Sequence, residues 1–205
     1  MPVKRPRAYN SPVREAAADE TRQRVMAAAR VLLAGGKGLP AFSLDAAARQ
    51  AGVTRLTVYK RFESKRGLLE AVFDEMARDG GLYGLPAVLA GRDTQKALRD
   101  FIGVFCRFWS NHGSVMPRLS AVARLDDDIV ESLMQRNERR RQGLAVLVAR
   151  LLPDANKKPA ADVVDILFAL TGFEMYAALA VHGREAAAVE ALIVGLAEQT
   201  VRAAA

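Results

Sequence analysis

The stretch Ser43–Lys65, SLDAAARQAGVTRLTVYKRFESK, decides the fold. It reads as two short helices joined by a tight turn. Ser43 offers a hydroxyl to cap the first helix, and Leu44, Ala47 and Ala48 recur at i, i+3 and i+4 as one apolar stripe. Gly52 breaks that helix, and Val53 pins the corner to the core. Thr54 caps the second helix, whose buried face is Val58 and Phe62, four residues apart. The opposite face carries Arg55, Thr57, Tyr59, Lys60 and Arg61. Long hydrogen-bond donors thus crowd the only surface this short helix leaves in water. The pattern predicts a helix-turn-helix whose second helix enters the major groove of DNA.

Charge placement agrees with this. Residues 1–65 hold 13 Lys/Arg against 5 Asp/Glu, whereas the remaining 140 residues hold 17 against 18. The whole basic excess of the chain, +7 over 205 residues, therefore travels with the helix-turn-helix. A uniformly basic protein would spread it. A polyanion-binding N-terminal third accounts for it better. The rest of the composition, 51% hydrophobic and 26% charged, is that of a soluble globular chain with a large core. The most apolar region, Val163 to Val181, is interrupted by Asp165 and Glu174, so no membrane span is expected. One cysteine excludes a disulfide framework, and the first residues lack the apolar run of a secretory signal, so a cytoplasmic location is expected.

Beyond the motif class, the pattern AxxAGVT-x-x-TVY-x-x-F-x-x-K followed by LLEAVF resembles the DNA-binding domain of the TetR family of bacterial transcriptional regulators. The matching residues are Ala48, Ala51, Gly52, Val53, Thr54, Thr57, Val58, Tyr59, Phe62, Lys65, Leu68 and Leu69. The match runs over residues 21–73. Ala47 departs from the larger aliphatic residue usual in the family. Arg55-Leu56 departs from its common basic-glycine pair, so no sequence preference carries over. The resemblance implies an all-α protein with an N-terminal three-helix DNA-binding domain and a larger C-terminal helical domain for ligand binding and dimerisation.

Around this centre, residues 1–15 carry three prolines with Lys4, Arg5, Arg7 and Arg14 and are expected to form a basic flexible arm. The DNA-binding domain is assigned to 16–63 and the ligand-binding and dimerisation domain to 64–205. An amphipathic helix over 19–34 buries Val25, Ala28, Ala29, Leu32 and Leu33 and stops at Gly35-Gly36; the loop 35–42 then delivers Ser43. A fourth helix, capped by Ser64, runs to about Arg78 and links the two domains. The segment 79–92, with four glycines and a proline, reads as a break. Further helices are expected from Asp93 to Asn111, from Ser114 to Leu125, from the acidic cap Asp126-Asp127-Asp128 to Leu152, from Pro159 to Val181, and from Arg184 to Arg202. That makes about nine in all. Arg139-Arg140-Arg141 is read as solvated surface, because three consecutive residues cannot share one helix face. The helix at 159–181 is apolar almost all round and needs burial on two sides. With the last helix it predicts a hairpin that packs on its copy in a homodimer.

Several residues are candidates for contact with double-stranded DNA. Arg55 suits bidentate pairing with guanine, Leu56 a thymine methyl, and Lys60 either base edge or backbone. Ser43 can cap its helix and touch a phosphate. The resemblance implies phosphate contacts at Thr57, Tyr59 and Lys65. It also implies that some of the aromatic residues at 101–109 and 173–176 line a cavity for a small, mostly apolar inducer, and Phe105, Trp109 and Tyr176 are the choices. Cys106 reads as a buried inert thiol, and His112 and His182 as helix-end residues. No metal motif, cofactor site, Ser/His/Asp set or phosphate loop is present in the sequence, so no enzyme is expected. The leading reading is a ligand-responsive repressor that binds a palindromic operator as a dimer. The alternative is an architectural or adaptor DNA-binding protein without a small-molecule ligand, which would need no cavity.

Overall fold

A computed structural model describes residues 12–35, 41–123, 127–154 and 157–205. Among the described residues there are eleven α-helices, one 3-10 turn and no strand. The chain divides into two compact units, Met1–Val72 and Phe73–Ala205. Most of the expected basic arm, most of the loop 35–42, and Asp126 of the acidic cap lie outside the described residues.

The first unit holds α1 (Pro12–Ala34), α2 (Leu44–Ala51), α3 (Arg55–Phe62) and the first half of α4 (Lys65–Asp79). Helix α1 begins well before the expected Asp19, so residues 12–15 are helical. Proline suits a first helical position, where its missing N–H has no partner to lose, and Glu15 adds favourable charge to the first turn. Val25, Ala28, Ala29, Leu32 and Leu33 are buried. Ala46, Ala47 and Ala48 are buried too, and their small side chains let α2 lie close against α1. Ser43 caps α2, its Oγ accepting from the Ala46 N–H at 3.1 Å. Gly52 ends α2 at φ +66°, a left-handed conformation that costs other residues about 1 kcal/mol or more. From there the Gly52 N–H returns to the carbonyls of Ala48 and Arg49.

In the second unit the segment after α4 is less of a break than its glycines suggest. It forms a 3-10 turn (Leu82–Gly84) and a short helix α5 (Leu85–Leu89), with Pro86 in its first turn. Then come α6 (Thr94–His112), α7 (Met116–Ala123), α8 (Asp127–Leu151), α9 (Lys157–Leu170), α10 (Phe173–Leu179) and α11 (Ala186–Ala204). Phe101, Phe108, Leu144, Leu147, Leu167 and Ile193, from α6, α8, α9 and α11, form the fully buried centre. The single helix expected over 159–181 is two. It stops at Leu170, Gly172 adopts an extended ψ of 158°, and α10 starts at Phe173. The Trp109 indole donates to the Thr171 carbonyl at 3.0 Å, and Thr171 Oγ1 donates back to the Leu167 carbonyl at 2.9 Å, so the break is satisfied internally. This split and α5 raise the count from nine to eleven.

Open space surrounds the position a Cβ would take at Gly52, so backbone strain alone acts there. Gly52→Ala is expected to lower stability by about 1 kcal/mol, read as a lower urea midpoint at unchanged slope.

Candidate nucleic-acid interface and cavity

Helix α3 sorts its residues by face. Val58 and Phe62 are buried, and the Arg22 guanidinium covers the Phe62 ring at 4.9 Å. Thr54 caps the helix, its Oγ1 accepting from the Thr57 N–H at 3.2 Å, and the two threonine hydroxyls meet at 2.9 Å. Thr57 is therefore half-buried and already engaged by the cap. Arg55 and Lys60 are exposed, as are Leu56 at 60% and Tyr59 at 57%. An apolar side chain and a phenol at adjoining turns are thus left mostly in solvent. Arg55 makes an exposed ion pair with Asp45 of α2 at 3.3 Å, a weak, solvent-screened contact that leaves it in water. Ser64 caps α4 by accepting from the Gly67 N–H at 2.9 Å, and half-buried Lys65 opens that helix. The structure thus gathers Ser43, Arg55, Leu56, Thr57, Tyr59, Lys60 and Lys65 in the first unit, on or beside the two short helices.

The second unit holds a half-open cavity of about 480 Å³. Its walls are Phe73, Asp74 and Ala77 of α4, Leu82 and Tyr83 of the 3-10 turn, Leu85, Pro86 and Leu89 of α5, and an aromatic row on α6. In that row Phe101 and Phe105 lie 5.1 Å apart, and Phe108 and Trp109 meet edge-on at 4.7 Å. Gly143 of α8 admits Phe101, whose ring edge would lie 2.9 Å from any Cβ placed there. Arg150 holds α5 in place, donating to the carbonyls of Leu89 and Gly91. Of the three expected lining residues, Phe105 and Trp109 border the cavity and Tyr176 does not. It is buried in α10, outside the lining.

Sequence reasoning missed the polar wall. Arg136, Asn137, Arg139 and Arg140 of α8 all border the cavity. Arg140, expected in solvent with its two neighbours, is only 7% exposed. Its guanidinium stacks over Phe168 at 4.1 Å and Phe105 at 5.6 Å, and burial pushes its pKa down to about 10, with Glu174 opposing and Arg141 lowering it further. It remains a cation at neutral pH. Arg136 pairs with Asp74 at 2.8 Å and covers the Phe73 ring at 4.3 Å, tying α8 to the second half of α4. Elsewhere, burial pushes the Cys106 thiol up to about 12, aided by Glu190 and opposed by Arg107, so it stays protonated and inert. No group of metal-ligating side chains occurs among the described residues.

Residues 25–72 match the family model for bacterial regulatory proteins of the tetR family. The N-terminal domain belongs to the TetR family. The whole chain has a TetR-like fold, similar to three solved structures among others. A transcriptional regulator from Rhodococcus sp. RHA1 has a TM-score of 0.67 at 19% identity, covering 89% of this chain and 97% of its own. NalD of Pseudomonas aeruginosa, described as the secondary repressor of a multidrug efflux pump, has 0.65 at 17%, covering 90% and 96%. PfmR, a TetR-family transcriptional regulator of Thermus thermophilus, has 0.61 at 18%, covering 88% and 95%. No curated protein matches the chain. At these identities the structures speak for the fold, and the family model for a DNA-binding regulator. No described helix is long and apolar enough to cross a membrane.

Arg55→Ala is expected to cost about 1–3 kcal/mol on a specific operator and to relax preference at one base pair. Lys65→Ala should weaken all duplexes alike and lower the salt slope by about one. Fluorescence anisotropy on operator and random duplex across a salt series separates the two, and identical behaviour would refute this division of roles.

Proposed function

We propose that this TetR-family protein is a ligand-responsive transcriptional repressor that binds a palindromic operator as a homodimer. The observation that carries this reading is the membership of α4. Its first half belongs to the DNA-binding unit, while Phe73, Asp74 and Ala77 in its second half form one wall of the cavity. A molecule entering the cavity therefore touches the same helix that leads from the reading helix. Displacement of α4 would alter the spacing of two recognition helices held about 34–36 Å apart, one turn of DNA. The cavity weighs against the adaptor alternative, which needs none. That NalD, of similar fold, is a repressor supports the repressing sign.

The homodimer is supported by an apolar surface that the chain leaves uncovered. Leu192 and Leu196, four apart on α11, are 44% and 43% exposed, and Ile166 on α9 is 47% exposed. Helices α9 and α11 pack together, so these side chains belong to one helical pair. The proposed interface is accordingly on α9 and α11, with short α10 intervening in the chain, rather than on one long helix and the last. A second copy would also supply the second reading helix, which selectivity requires.

Since a ligand acts only through unequal affinity for two arrangements, operator and inducer must weaken each other by the same factor. Titration calorimetry with and without operator is expected to show this reciprocity; equal ligand affinities in both would sink the mechanism. The double change Leu192→Glu with Leu196→Glu should yield a helical monomer by analytical ultracentrifugation and abolish operator binding. A persisting dimer would place the interface elsewhere.

A further inference from the structure

Resting on the ligand-responsive reading above, we propose that the cavity takes a monoanionic lipophile, an apolar or aromatic body bearing one carboxylate, with the carboxylate held by Arg140. The lining carries three arginines and one acid. Arg136 is neutralised by Asp74 at 2.8 Å, and Arg139 is exposed to water. Arg140 is left as a cation at the junction of the polar wall and the α6 aromatics, more than nine-tenths buried. Its hydrogen bonds are few and long for a charged donor: 3.4 Å to the Thr171 hydroxyl and 3.3 Å to the Asn137 side-chain oxygen, both neutral acceptors. Its Nε has no acceptor, and no carboxylate lies within ion-pair distance among the described residues. The Glu174 carboxylate, which like the Arg140 guanidinium borders Gly172, favours its charge without an ion pair.

A buried guanidinium needs an anion and full hydrogen bonding to offset its lost hydration, and rings alone supply neither. Phe105 and Phe168 hold its plane, which preorganises the remaining N–H groups for a planar, two-oxygen acceptor. A carboxylate matches this planar fork and the single charge of the one buried, unpaired guanidinium. The size, about 480 Å³, suits a small amphipathic molecule whose remainder lies against the α6 aromatics. A purely structural Arg140, tying α8 to α6 and α9 by stacking, would be indifferent to the charge of the occupant. That difference is measurable.

The test uses the full chain, with carboxylates from octanoate to tetradecanoate and phenylalkanoates, each compared with its methyl ester and primary amide. Binding is read by Trp109 fluorescence and calorimetry, and operator release by anisotropy. The expected result is a preference for the acid over its ester and amide of at least about tenfold. That preference should vanish in Arg140→Met and be partly kept in Arg140→Lys. Replacing a buried charge by an apolar side chain is often tolerated, and circular dichroism checks the fold. Should Arg140→Met not fold, the acid-against-ester comparison in the unaltered protein and in Arg140→Lys decides. Esters or amides that bind as well as acids and release operator would overturn the carboxylate while leaving a ligand-responsive repressor. An acid preference that survives in Arg140→Met would overturn the role of Arg140. Silence from every compound would overturn the proposal and remove the cavity's support for an inducer.

Discussion

An eight-residue helix has almost no stability of its own in water, because nucleation costs more than so few hydrogen bonds return. Helix α3 persists only because Val58 and Phe62 are buried, under Arg22 and against the small unit that α1 and α2 complete. Two residues on one side thus fix the orientation of all the others. Leu56 and Tyr59 stand out in solvent because the faces that could bury them are already occupied. The alanines of α2 and the left-handed Gly52 serve the same end. They bring two short helices to a tight corner with the Ser43 and Thr54 hydroxyls satisfying the exposed N–H groups.

The second unit solves a different problem. It must bury many aromatics without filling its interior. Gly143 provides close approach for Phe101, and Arg150 anchors the carbonyls at the end of α5, so that α5 forms a wall instead of collapsing inward. Trp109 lines the cavity and also satisfies the Thr171 carbonyl at the interruption between α9 and α10. One side chain therefore reports on the cavity and braces the helix break beside it.

What was legible in the sequence was local. Caps, a turn glycine and apolar spacing over 43–65 specify the first unit because the interactions concerned are three or four residues apart. The interruption at Thr171-Gly172 was not legible, since apolar residues continue on both sides and Gly172 was the lone signal against them. Its satisfaction comes from Trp109, far away in the chain. Arg140 is the more instructive miss. That three successive arginines cannot share a face is sound, but it means that one of them faces inward. Arg140 lies four residues before Leu144, seven before Leu147 and eight before Val148, all buried, so the helical period placed it on the core stripe. Tyr176 lies beyond the break, buried on α10 and outside the cavity lining.

The polar wall also bears on how occupancy of the cavity could reach the reading helix. Arg136 and Arg140 are four apart on α8 and so neighbours on one face. Arg140 meets the cavity's interior, while Arg136 grips α4 through the Asp74 carboxylate and the Phe73 ring. A bound group that recruits Arg140 acts one helical turn from the contact that holds α4. The same occupant would lie against Phe73 and Ala77 directly. Steric contact and charge thus converge on one short segment of α4, where an occupant that favours one position of that helix over another would act directly or through Arg136. The remaining exposed pairs of this unit, such as Lys96 with Asp100, are solvent-screened links that can neither favour nor oppose such a shift by much.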